Sequence, residues 1–255
     1  MVTFRTFSLQ SGSCGNCIFV EGAGVRVLVD AGLSAKNATR LLRDHDVAAD
    51  TIDAVLISHN HGDHSRSAGI FHRAFGAELF ITRGTFDACE NHLGRLSQVR
   101  QFHPGEYLQL GPLTVQTIPT PHDGVDGACF VFDTGCLRLG VLTDLGHVFP
   151  GLEEIVCSLD AVFLESNFDR QMLENGPYPH WLKRRVAGPG GHLSNDECAS
   201  LLQKAFHRKL RWAALAHLSG ENNSPDIALD CARRAVGDRD IHVARRDAPS
   251  PMLSL

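Results

Sequence analysis

The chain has 255 residues, of which 43% are hydrophobic and 21% are charged, with a formal net charge of −5. These values are ordinary for a globular protein with one large core, so we expect a single domain over residues 1–255. The charge argues against a generally basic surface that coats nucleic acid. Local basic runs do occur at 183–185 and 207–211, where a solvated helix face is the alternative explanation.

The composition also bears on location. No run approaches the roughly 18 apolar residues that span a bilayer, and residues 1–13 lack a basic segment followed by an apolar one. The eight cysteines are scattered along a chain that is long enough to fold without disulfides, which is typical of a reducing compartment. We therefore expect a cytoplasmic protein with no membrane partner.

Short apolar runs bounded by Gly, Asp and Pro recur along the chain and predict strands. In chain order these are TFRTFSL, CIFVEG, VRVLVDAG, AVLISH, ELFIT, LTVQTIPT, CFVFDTG, LRLGVLTD, AVFLES, WAALAHLS and IHVARR. Longer stretches with helical spacing lie between some of them, and several begin with a capping residue. The predicted helices occupy 34–46, 66–76, 85–94, 195–209 and 224–237.

Strands outnumber helices, and both halves of the chain combine strands with later helices. Two sheets packed face to face with helices outside would bury both apolar faces of each sheet, which makes the predicted class α+β. Residues 247–255, DAPSPMLSL, are predicted to form a loose tail.

Six of the apolar runs end in an ionisable side chain. These residues are Asp30, His59, His122, Asp144, Glu165 and His217. A single histidine at a strand end is usually a hydrogen-bonded core residue, but six such endings share a simpler explanation. Strand ends on a rigid scaffold can direct side chains into one cleft, so we expect these residues to converge.

The segment SHNHGDH at 58–64 concentrates potential metal ligands. His59 and His61 are two residues apart, so in extended backbone both rings point the same way and can reach one ion. Asp63 and His64 follow a turn and are directed at a neighbouring point. The segment therefore predicts two adjacent metal sites.

Each of these sites needs further ligands, because an ion with two protein ligands is held weakly. We expect His122 to complete the first site, His217 to complete the second, and Asp144 to bridge both ions. Such ligands suit Zn²⁺ or Mn²⁺, with Fe²⁺ as a third candidate, rather than Ca²⁺ or Mg²⁺. A hydroxide between the two ions is a nucleophile at neutral pH, so the pattern predicts a hydrolase.

The segment matches HxHxDH, the metal signature of the metallo-β-lactamase superfamily, which the chain resembles along nearly its whole length. Asp30, His122, Asp144 and His217 match the remaining superfamily positions in order. The resemblance implies a four-layer αββα sandwich with a dinuclear site at the edge of the two sheets. Further stretches are similar to the YycJ/WalJ group of this superfamily, regarded as nucleases related to 5′-exonucleases. Those stretches are SGSCGNC, TPHD, ESNFDRQMLENGPYP, GHLSN and AHLSGENN.

Two positions depart from that group. Asn60 and Gly62 stand where an acidic and a small polar residue are more usual between the histidines. Neither is a predicted ligand, so the metal prediction is unaffected. An acidic residue at 60 would interact with the ligands without binding metal itself. Its replacement by Asn60 is therefore expected to affect the catalytic rate or the metal preference.

Attack on a phosphodiester builds negative charge, so hydrogen-bond donors are needed beside the metals. His192, in a Gly-rich loop before a predicted helix, is the main candidate for this catalytic role and for substrate binding. Ser194 and Asn195 are also predicted to bind substrate, with capping of that helix as the alternative. Asn16, with Ser13, lies in another Gly-rich loop that could offer backbone N–H groups to substrate.

Three residues are predicted to act in catalysis: Asp63, His192 and Glu165. The resemblance implies that Glu165 orients a metal-binding histidine, and the alternative is a buried carboxylate that accepts hydrogen bonds from backbone amides. We expect Asp30 likewise to support the 58–64 loop rather than to bind metal.

These features predict a dinuclear-metal-dependent phosphodiesterase, and most specifically an exonuclease whose partner is DNA. Two alternatives stay open. One is a hydrolase of a small ester, thioester or small phosphodiester, because the same ligands serve many reactions. The other is a regulatory protein that keeps metal only for folding. In a chain without a separate nucleic-acid-clamping domain, loops or the second subunit of a homodimer would hold the substrate.

Overall fold

The computed structural model describes residues 3–255, across which two seven-stranded sheets pack face to face. The first sheet contains, in spatial order, β14 (Leu253–Ser254), β1 (Phe4–Gln10), β2 (Cys17–Gly22), β3 (Val25–Val29), β4 (Ala54–Leu56), β5 (Glu78–Thr82) and β6 (Val99–Phe102). The second sheet contains β13 (Asp240–Val243), β12 (Trp212–Ala216), β11 (Ala161–Glu165), β10 (Arg138–Leu142), β9 (Ala128–Asp133), β8 (Leu113–Pro119) and β7 (Tyr107–Leu110).

Helices cover the outer faces of both sheets. In chain order they are α1 (Ala35–Arg43), α2 (Gly62–Ser65), α3 (Ala68–Phe75), α4 (Arg83–Leu93), α5 (Leu152–Cys157), α6 (Arg170–Asn175), α7 (His180–Val186), α8 (Asn195–Phe206) and α9 (Pro225–Val236). A 3₁₀ turn spans Ala49–Thr51. Within residues 3–255 no helix is long and apolar enough to cross a bilayer.

Three apolar clusters hold these layers together. Side chains such as Phe80, Phe130 and Phe163 fill the space between the two sheets. A second cluster joins the outer face of the second sheet to α5, α8 and α9, and a third joins the first sheet to α1, α3 and α4. Strands β4, β11 and β12 are buried at every position because both of their faces are covered. The predicted four-layer αββα sandwich is therefore confirmed.

The strand directions explain where the polar side chains gather. β3 to β6 run parallel in the first sheet, and β10 to β13 run parallel in the second. Neighbouring parallel strands end at the same edge of a sheet, and binding sites in such sheets lie beyond those ends. The loops after β3, β4, β10, β11 and β12 consequently meet at one edge of the sandwich.

The prediction of a loose C-terminal tail is wrong. Leu253 pairs with Thr6 in an added edge strand, and its side chain is buried. The backbone N–H of Ser8 donates to the Ser250 hydroxyl at 3.0 Å. The tail is ordered because β1 would otherwise leave its outer hydrogen-bonding groups unpaired.

Candidate metal centre

Four overlapping groups of potential ligand atoms lie at this edge of the sandwich, and in each group the ligand atoms lie within 4.8 Å of one another. Two of these groups share no residue: His59, His61 and His122, and Asp63, His64 and His217. The other two overlap them: His59, His64 and Asp144, and Asp144, Glu165, His192 and His217. The first two, called here the first and second ligand groups, are the triplets that the spacing of the sequence assigned to two neighbouring ions.

Asp144 stands between the two groups. Its Oδ1 lies 3.6 Å from Nε2 of His122, and its Oδ2 lies 3.5 Å from Nε2 of His64. The carboxylate is buried, and it follows the carboxyl end of β10. One side chain thus faces both groups, which is the arrangement that a bridging ligand requires.

Hydrogen bonds fix which ring nitrogen is free to bind an ion. Nδ1 of His122 lies 2.8 Å from the carbonyl oxygen of Gly191, which only accepts, so Nδ1 carries the proton and Nε2 carries a lone pair. Nε2 of His122, Nε2 of His217 and Oδ2 of Asp144 are buried without any hydrogen-bond partner in residues 3–255. Unpaired buried polar atoms are costly, and a bound cation would satisfy all three, so the residues fit the metal that the pattern predicts.

The surrounding carboxylates favour positive charge at the second group. Burial opposes the charged form of His64, yet Asp144 and Asp30 outweigh it and raise the pKa of this imidazole to about 10. Burial likewise opposes charge on His217, and Asp144 and Glu165 raise its pKa to about 8. Without a metal, protonated imidazoles therefore supply the positive charge that these carboxylates require.

In the first group, by contrast, the surroundings favour neutral histidine rings. Burial, with the neighbouring ring of His64, holds the pKa of His59 well below its usual value. Burial, with the ring of His122, lowers the pKa of His61. Both rings are neutral at physiological pH, and neutral imidazole is the form that binds metal.

Glu165 is buried beneath the site and accepts hydrogen bonds from two of its histidines. Its Oε1 accepts from Nδ1 of His192 at 2.8 Å and from Nδ1 of His217 at 3.1 Å, while its Oε2 accepts from the backbone N–H groups of Leu145 and Leu193. Burial favours the neutral acid, but His192 and the other donors outweigh it and lower the pKa of Glu165 to about 2. The orienting contact and the backbone contacts suggested by the sequence are therefore both present.

Asp30 plays a similar part at the first sheet. Its Oδ2 lies 2.7 Å from Nδ1 of His64, and its Oδ1 accepts from the backbone N–H of Ser58 at 2.8 Å. Asp30, Asp144 and His217 all adopt left-handed backbone with φ of 64°, 56° and 56°. This conformation is uncommon for residues other than glycine, although Asp and His adopt it more often than most, and such backbone clusters at functional sites.

A pocket of about 230 Å³ opens above the two ligand groups. His61, Asp63, His122, Asp144, His192 and His217 contribute to its wall. Ser13 also lines it, as do Tyr178, Leu182 and Arg185 from the region of α7. A substrate in this pocket would contact both ligand groups.

The other residues predicted to bind substrate lie deeper. Ser194 is buried and caps α8 in a capping box with Glu197. Asn195 is buried and hydrogen-bonded to Ser166 and Asn223. Neither lies among the residues that line the pocket, because both are committed to the start of α8.

Asn16 is buried beside the second ligand group. Its Nδ2 lies 3.0 Å from Nε2 of His64 and 3.3 Å from Oδ2 of Asp63. Its Oδ1 accepts from the backbone N–H of Gly12 at 2.8 Å. The sequence predicted that the backbone N–H groups of this loop contact substrate. In the structure the Asn16 side chain contacts the predicted metal ligands themselves.

The two unusual positions in the signature have distinct surroundings. Oδ1 of Asn60 accepts from the backbone N–H of Val125 at 2.9 Å and so joins the loops before His61 and after His122. Gly62 begins α2, and a Cβ there would meet nothing within 4 Å.

Sequence reasoning missed Asp123 and Arg185. Oδ1 of Asp123 lies 3.5 Å from Nε2 of both His61 and His122, and its Oδ2 accepts from Nε of Arg185 at 2.6 Å. The sequence contained a pointer to each, because Asp123 lies in the motif TPHD and Arg185 lies in the basic run 183–185. Their contact joins segments 62 residues apart, which spacing alone does not reveal.

Comparisons with known proteins agree with this architecture. The family model of the metallo-beta-lactamase superfamily matches residues 14–156. Exodeoxyribonuclease WalJ of Streptococcus pneumoniae is 33% identical over 231 residues, covering 89% of this chain and 86% of WalJ. Exodeoxyribonuclease YycJ of Bacillus anthracis is 29% identical over 222 residues, covering 86% of this chain and 84% of YycJ. The crystal structure of YhfI from Bacillus subtilis, described as a metallo-beta-lactamase fold protein, aligns with a TM-score of 0.78 at 14% identity, covering 99% and 100% of the two chains.

The chain therefore belongs to the metallo-β-lactamase superfamily. The resemblance to the YycJ/WalJ group is confirmed by the two exodeoxyribonuclease relatives. The prediction of an enzyme of the metal-dependent hydrolase class is also confirmed.

Proposed function

We propose that this protein is a dinuclear-metal-dependent phosphodiesterase that digests DNA from an end. The observation that carries the proposal is Asp144, which faces two complete ligand groups at once. The names of the two exodeoxyribonuclease relatives support DNA as the substrate. Zn²⁺ and Mn²⁺ are the proposed ions, with Fe²⁺ as the third candidate, because the donor set combines imidazole and carboxylate.

In this proposal His59, His61 and His122 hold one ion, and Asp63, His64 and His217 hold the other. Divalent ions, when bound, supply a water of lowered pKa and polarise a phosphoryl oxygen. The chain's own contribution is to keep the ligands oriented through the Glu165 and Asp30 contacts. Such supporting contacts fix ring orientation and make the ligands more basic.

His192 is the proposed catalytic side chain that does not belong to the proposed metal ligands, although its ring lies with Asp144, Glu165 and His217 in one group of potential ligand atoms. Glu165 accepts from its Nδ1, which leaves Nε2 as the nitrogen available to the pocket that the ring lines. In its protonated form this ring donates Nε2–H to the phosphoryl or departing oxygen, where negative charge develops. The same contact makes His192 a substrate-binding residue.

The proposal is tested by incubating the purified protein with Mn²⁺ or Zn²⁺ and oligonucleotides labelled at either end. We expect stepwise release of nucleotides, with the labelled end defining the direction of digestion. Absence of nucleotide release, together with faster turnover of thioesters or nitrocefin than of bis-p-nitrophenyl phosphate, would support the small-molecule hydrolase instead.

A His192→Ala variant tests the catalytic assignment. We expect turnover to fall by about 10²–10³-fold, as for loss of one donor to a developing charge, while metal content is unchanged. His207→Ala is a matched control, since His207 is an exposed histidine at the end of α8. Loss of bound metal in the His192 variant would instead make this residue a ligand.

Three further parts of the proposal concern the whole chain. We propose residues 1–255 as one domain, because the two sheets of residues 3–255 pack into one sandwich around a shared core. A cytoplasmic location and a homodimer stay predictions. Gel filtration with light scattering measures the second of these.

A further inference from the structure

The pocket above the ligand groups contains little permanent positive charge. Its wall includes the carboxylates of Asp63, Asp123 and Asp144. Arg185 is the single lysine or arginine of residues 3–255 that lines it. DNA carries a negative charge on every phosphate, and a protein of net charge −5 must neutralise those charges locally. Arg185 is therefore the one side chain of this wall that offers a permanent positive charge to a bound strand.

Arg185 is held by one hydrogen bond that leaves most of its donors free. Its Nε donates to Oδ2 of Asp123 at 2.6 Å. Nη1 and Nη2 have no hydrogen-bond acceptor within residues 3–255, and 55% of the side chain is exposed. Arginine binds phosphate through two parallel N–H groups of its planar guanidinium. The edge formed by Nη1 and Nη2 is therefore available to a phosphate while Asp123 holds Nε.

Asp123 in turn has a fixed position beside the first ligand group. Its backbone N–H donates to the carbonyl oxygen of Gly190 at 3.0 Å, and its Oδ1 lies 3.5 Å from Nε2 of His122. The carbonyl oxygen of Gly191 lies 2.8 Å from Nδ1 of His122. The loop after α7 thus contacts two successive residues beside the ligands. These contacts hold Arg185 at a defined place relative to the predicted metal centre.

The Asp123 carboxylate separates Arg185 from the place of cleavage. Its Oδ2 faces the guanidinium, whereas its Oδ1 faces Nε2 of His61 and of His122. A phosphoryl group held over both ligand groups consequently has this carboxylate between itself and Nε of Arg185. His192, which lines the same pocket, is the proposed donor to that phosphoryl group. Arg185 is therefore placed for the next phosphate of the strand rather than for the one that is cleaved.

We propose that Arg185 is a substrate-binding residue that contacts the DNA phosphate next to the one that is cleaved, and that Asp123 is the positioning residue that holds its guanidinium in the pocket. The contact involves the DNA backbone and no base, so it does not depend on the base sequence. The inference rests on the proposed function, because it identifies how the site holds a strand that carries more than one phosphate.

Substrates with one phosphate and with many distinguish this contact from a general effect on the site. Arg185→Gln should raise KM for an oligonucleotide by about tenfold, as for loss of one charge-assisted hydrogen bond. The fall in kcat/KM should be about tenfold larger for the oligonucleotide than for bis-p-nitrophenyl phosphate, which has no neighbouring phosphate. An equal fall for both substrates would overturn the inference.

Arg184→Gln is the matched control for charge. Arg184 belongs to the same helix, but it lines a separate groove rather than the pocket. We expect its KM to change by less than about twofold, because solvent and salt screen an exposed charge that makes no direct contact. Arg185→Lys should recover part of the loss, since lysine keeps the charge but not the planar fork. Equal KM values in Arg184→Gln and Arg185→Gln, or in Arg185→Lys and Arg185→Gln, would contradict the contact.

Binding without cleavage gives a readout that does not depend on catalysis. A fluorescently labelled phosphorothioate duplex is titrated with the Mn²⁺-loaded protein at several salt concentrations, and its anisotropy is recorded. Arg185→Gln should reduce the slope of log affinity against log salt by about 0.9, the contribution of one phosphate contact in duplex DNA. The slope for Arg184→Gln should equal that of the unmodified protein. An unchanged slope in Arg185→Gln would overturn the inference.

A double-variant cycle tests the positioning role of Asp123. Asp123→Asn keeps the shape of the side chain and removes the charge that holds Nε of Arg185. At saturating Mn²⁺ it should raise KM by the same factor as Arg185→Gln, with a larger change in KM than in kcat. The double variant should bind no more weakly than either single variant, because residues that act as a unit are not additive. Multiplication of the two effects would remove the positioning role.

The inference and the proposed function fail in different ways. Digestion with kinetics that respond equally to Arg184→Gln and Arg185→Gln would remove the inference and leave the nuclease. Arg185-dependent binding of the phosphorothioate duplex without digestion of ordinary DNA would remove the nuclease and leave the phosphate contact. Neither binding nor digestion would remove both.

Discussion

At the scale of single residues, the candidate centre combines two histidine rings that favour the neutral form with two that favour the protonated form. His59 and His61 have lowered pKa values, whereas Asp144 and Asp30 raise the pKa of His64 to about 10 against the effect of burial. The same carboxylate that would bind a cation therefore also stabilises imidazolium. Protons and metal ions compete for this group of side chains.

This competition predicts that metal binding releases protons. The raised pKa values of His64 and His217, about 10 and about 8, favour protonated rings in the metal-free protein at pH 7, whereas the Asn16 amide N–H that faces Nε2 of His64 opposes a proton on that nitrogen. Ligand nitrogens must lose those protons, so we expect about one to two protons released at pH 7 and an affinity that rises with pH. Calorimetric titration with Zn²⁺ in two buffers of different ionisation enthalpy measures the number of protons released. Identical heats in both buffers would contradict it.

At the scale of elements, α2 depends on its neighbours. It has four residues, too few to be stable alone, yet it presents Asp63 and His64. The backbone N–H of Ala31 donates to the His64 carbonyl at 2.7 Å, and that of Asn16 donates to the Asp63 carbonyl at 2.7 Å. The loops after β1 and β3 therefore set the position of two predicted ligands.

Gly32 permits this close approach. A Cβ at Gly32 would overlap the backbone carbonyl of Asp63, so Gly32→Ala should destabilise the protein by about 1–3 kcal/mol and reduce metal content. Gly62→Ala is the matched comparison inside α2, because a Cβ there meets nothing within 4 Å. We expect that variant to be neutral or to gain about 0.4–1 kcal/mol. Urea unfolding and metal analysis measure both, and equal stabilities would contradict the packing argument.

Ser194 lies at the start of α8, and its substitution distinguishes helix capping from substrate binding. Its side chain accepts from the backbone N–H of Glu197, so Ser194→Ala should destabilise the protein by about 1 kcal/mol and leave KM for oligonucleotides unchanged. Ser224→Ala removes the corresponding cap of α9 and should have a similar cost. Thermal unfolding and digestion kinetics measure the two effects. A raised KM with unchanged stability would show that Ser194 binds substrate.

At the scale of the whole molecule, the two sheets contribute ligands to one centre. His59, His61, Asp63 and His64 follow β4 in the first sheet, whereas Asp144 and His217 follow β10 and β12 in the second. An ion held by ligands from both sheets would therefore link the two halves of the sandwich. Binding of this kind stabilises the native state against the unfolded chain.

Metal removal should accordingly lower thermal stability. At a free metal concentration about 100 times the dissociation constant, binding contributes roughly 2.7 kcal/mol, which for a chain of this size raises Tm by about 5–10 °C. Scans in EDTA and with Mn²⁺ or Zn²⁺ measure the shift. Asp144→Asn should reduce it, because that variant lacks the charge that faces both groups. A Tm unaffected by either ion would contradict a centre shared by the sheets.

The elements with strong periodicity were predictable because their pattern is local. Helices such as α8 and α9, and buried strands such as β11, carry enough apolar spacing to identify them. By contrast, α2, α5, α6 and α7 have four to seven residues each, and their position depends on contacts with distant segments. The edge strand at Leu253–Ser254 was missed for the same reason, since it exists only by pairing with β1.

The sequence by itself determined the superfamily, the layered fold and the residues that could form two ligand groups, because the 58–64 spacing and the strand ends are properties of a linear chain. Their assignment as metal ligands stays a prediction. Tertiary structure alone decided that Asp144 faces both groups, that Asp123 joins α7 to the pocket, and that Ser194 is buried at a helix start. Each of these depends on distances between segments far apart in the chain, which only the packing of the two sheets and their helices sets.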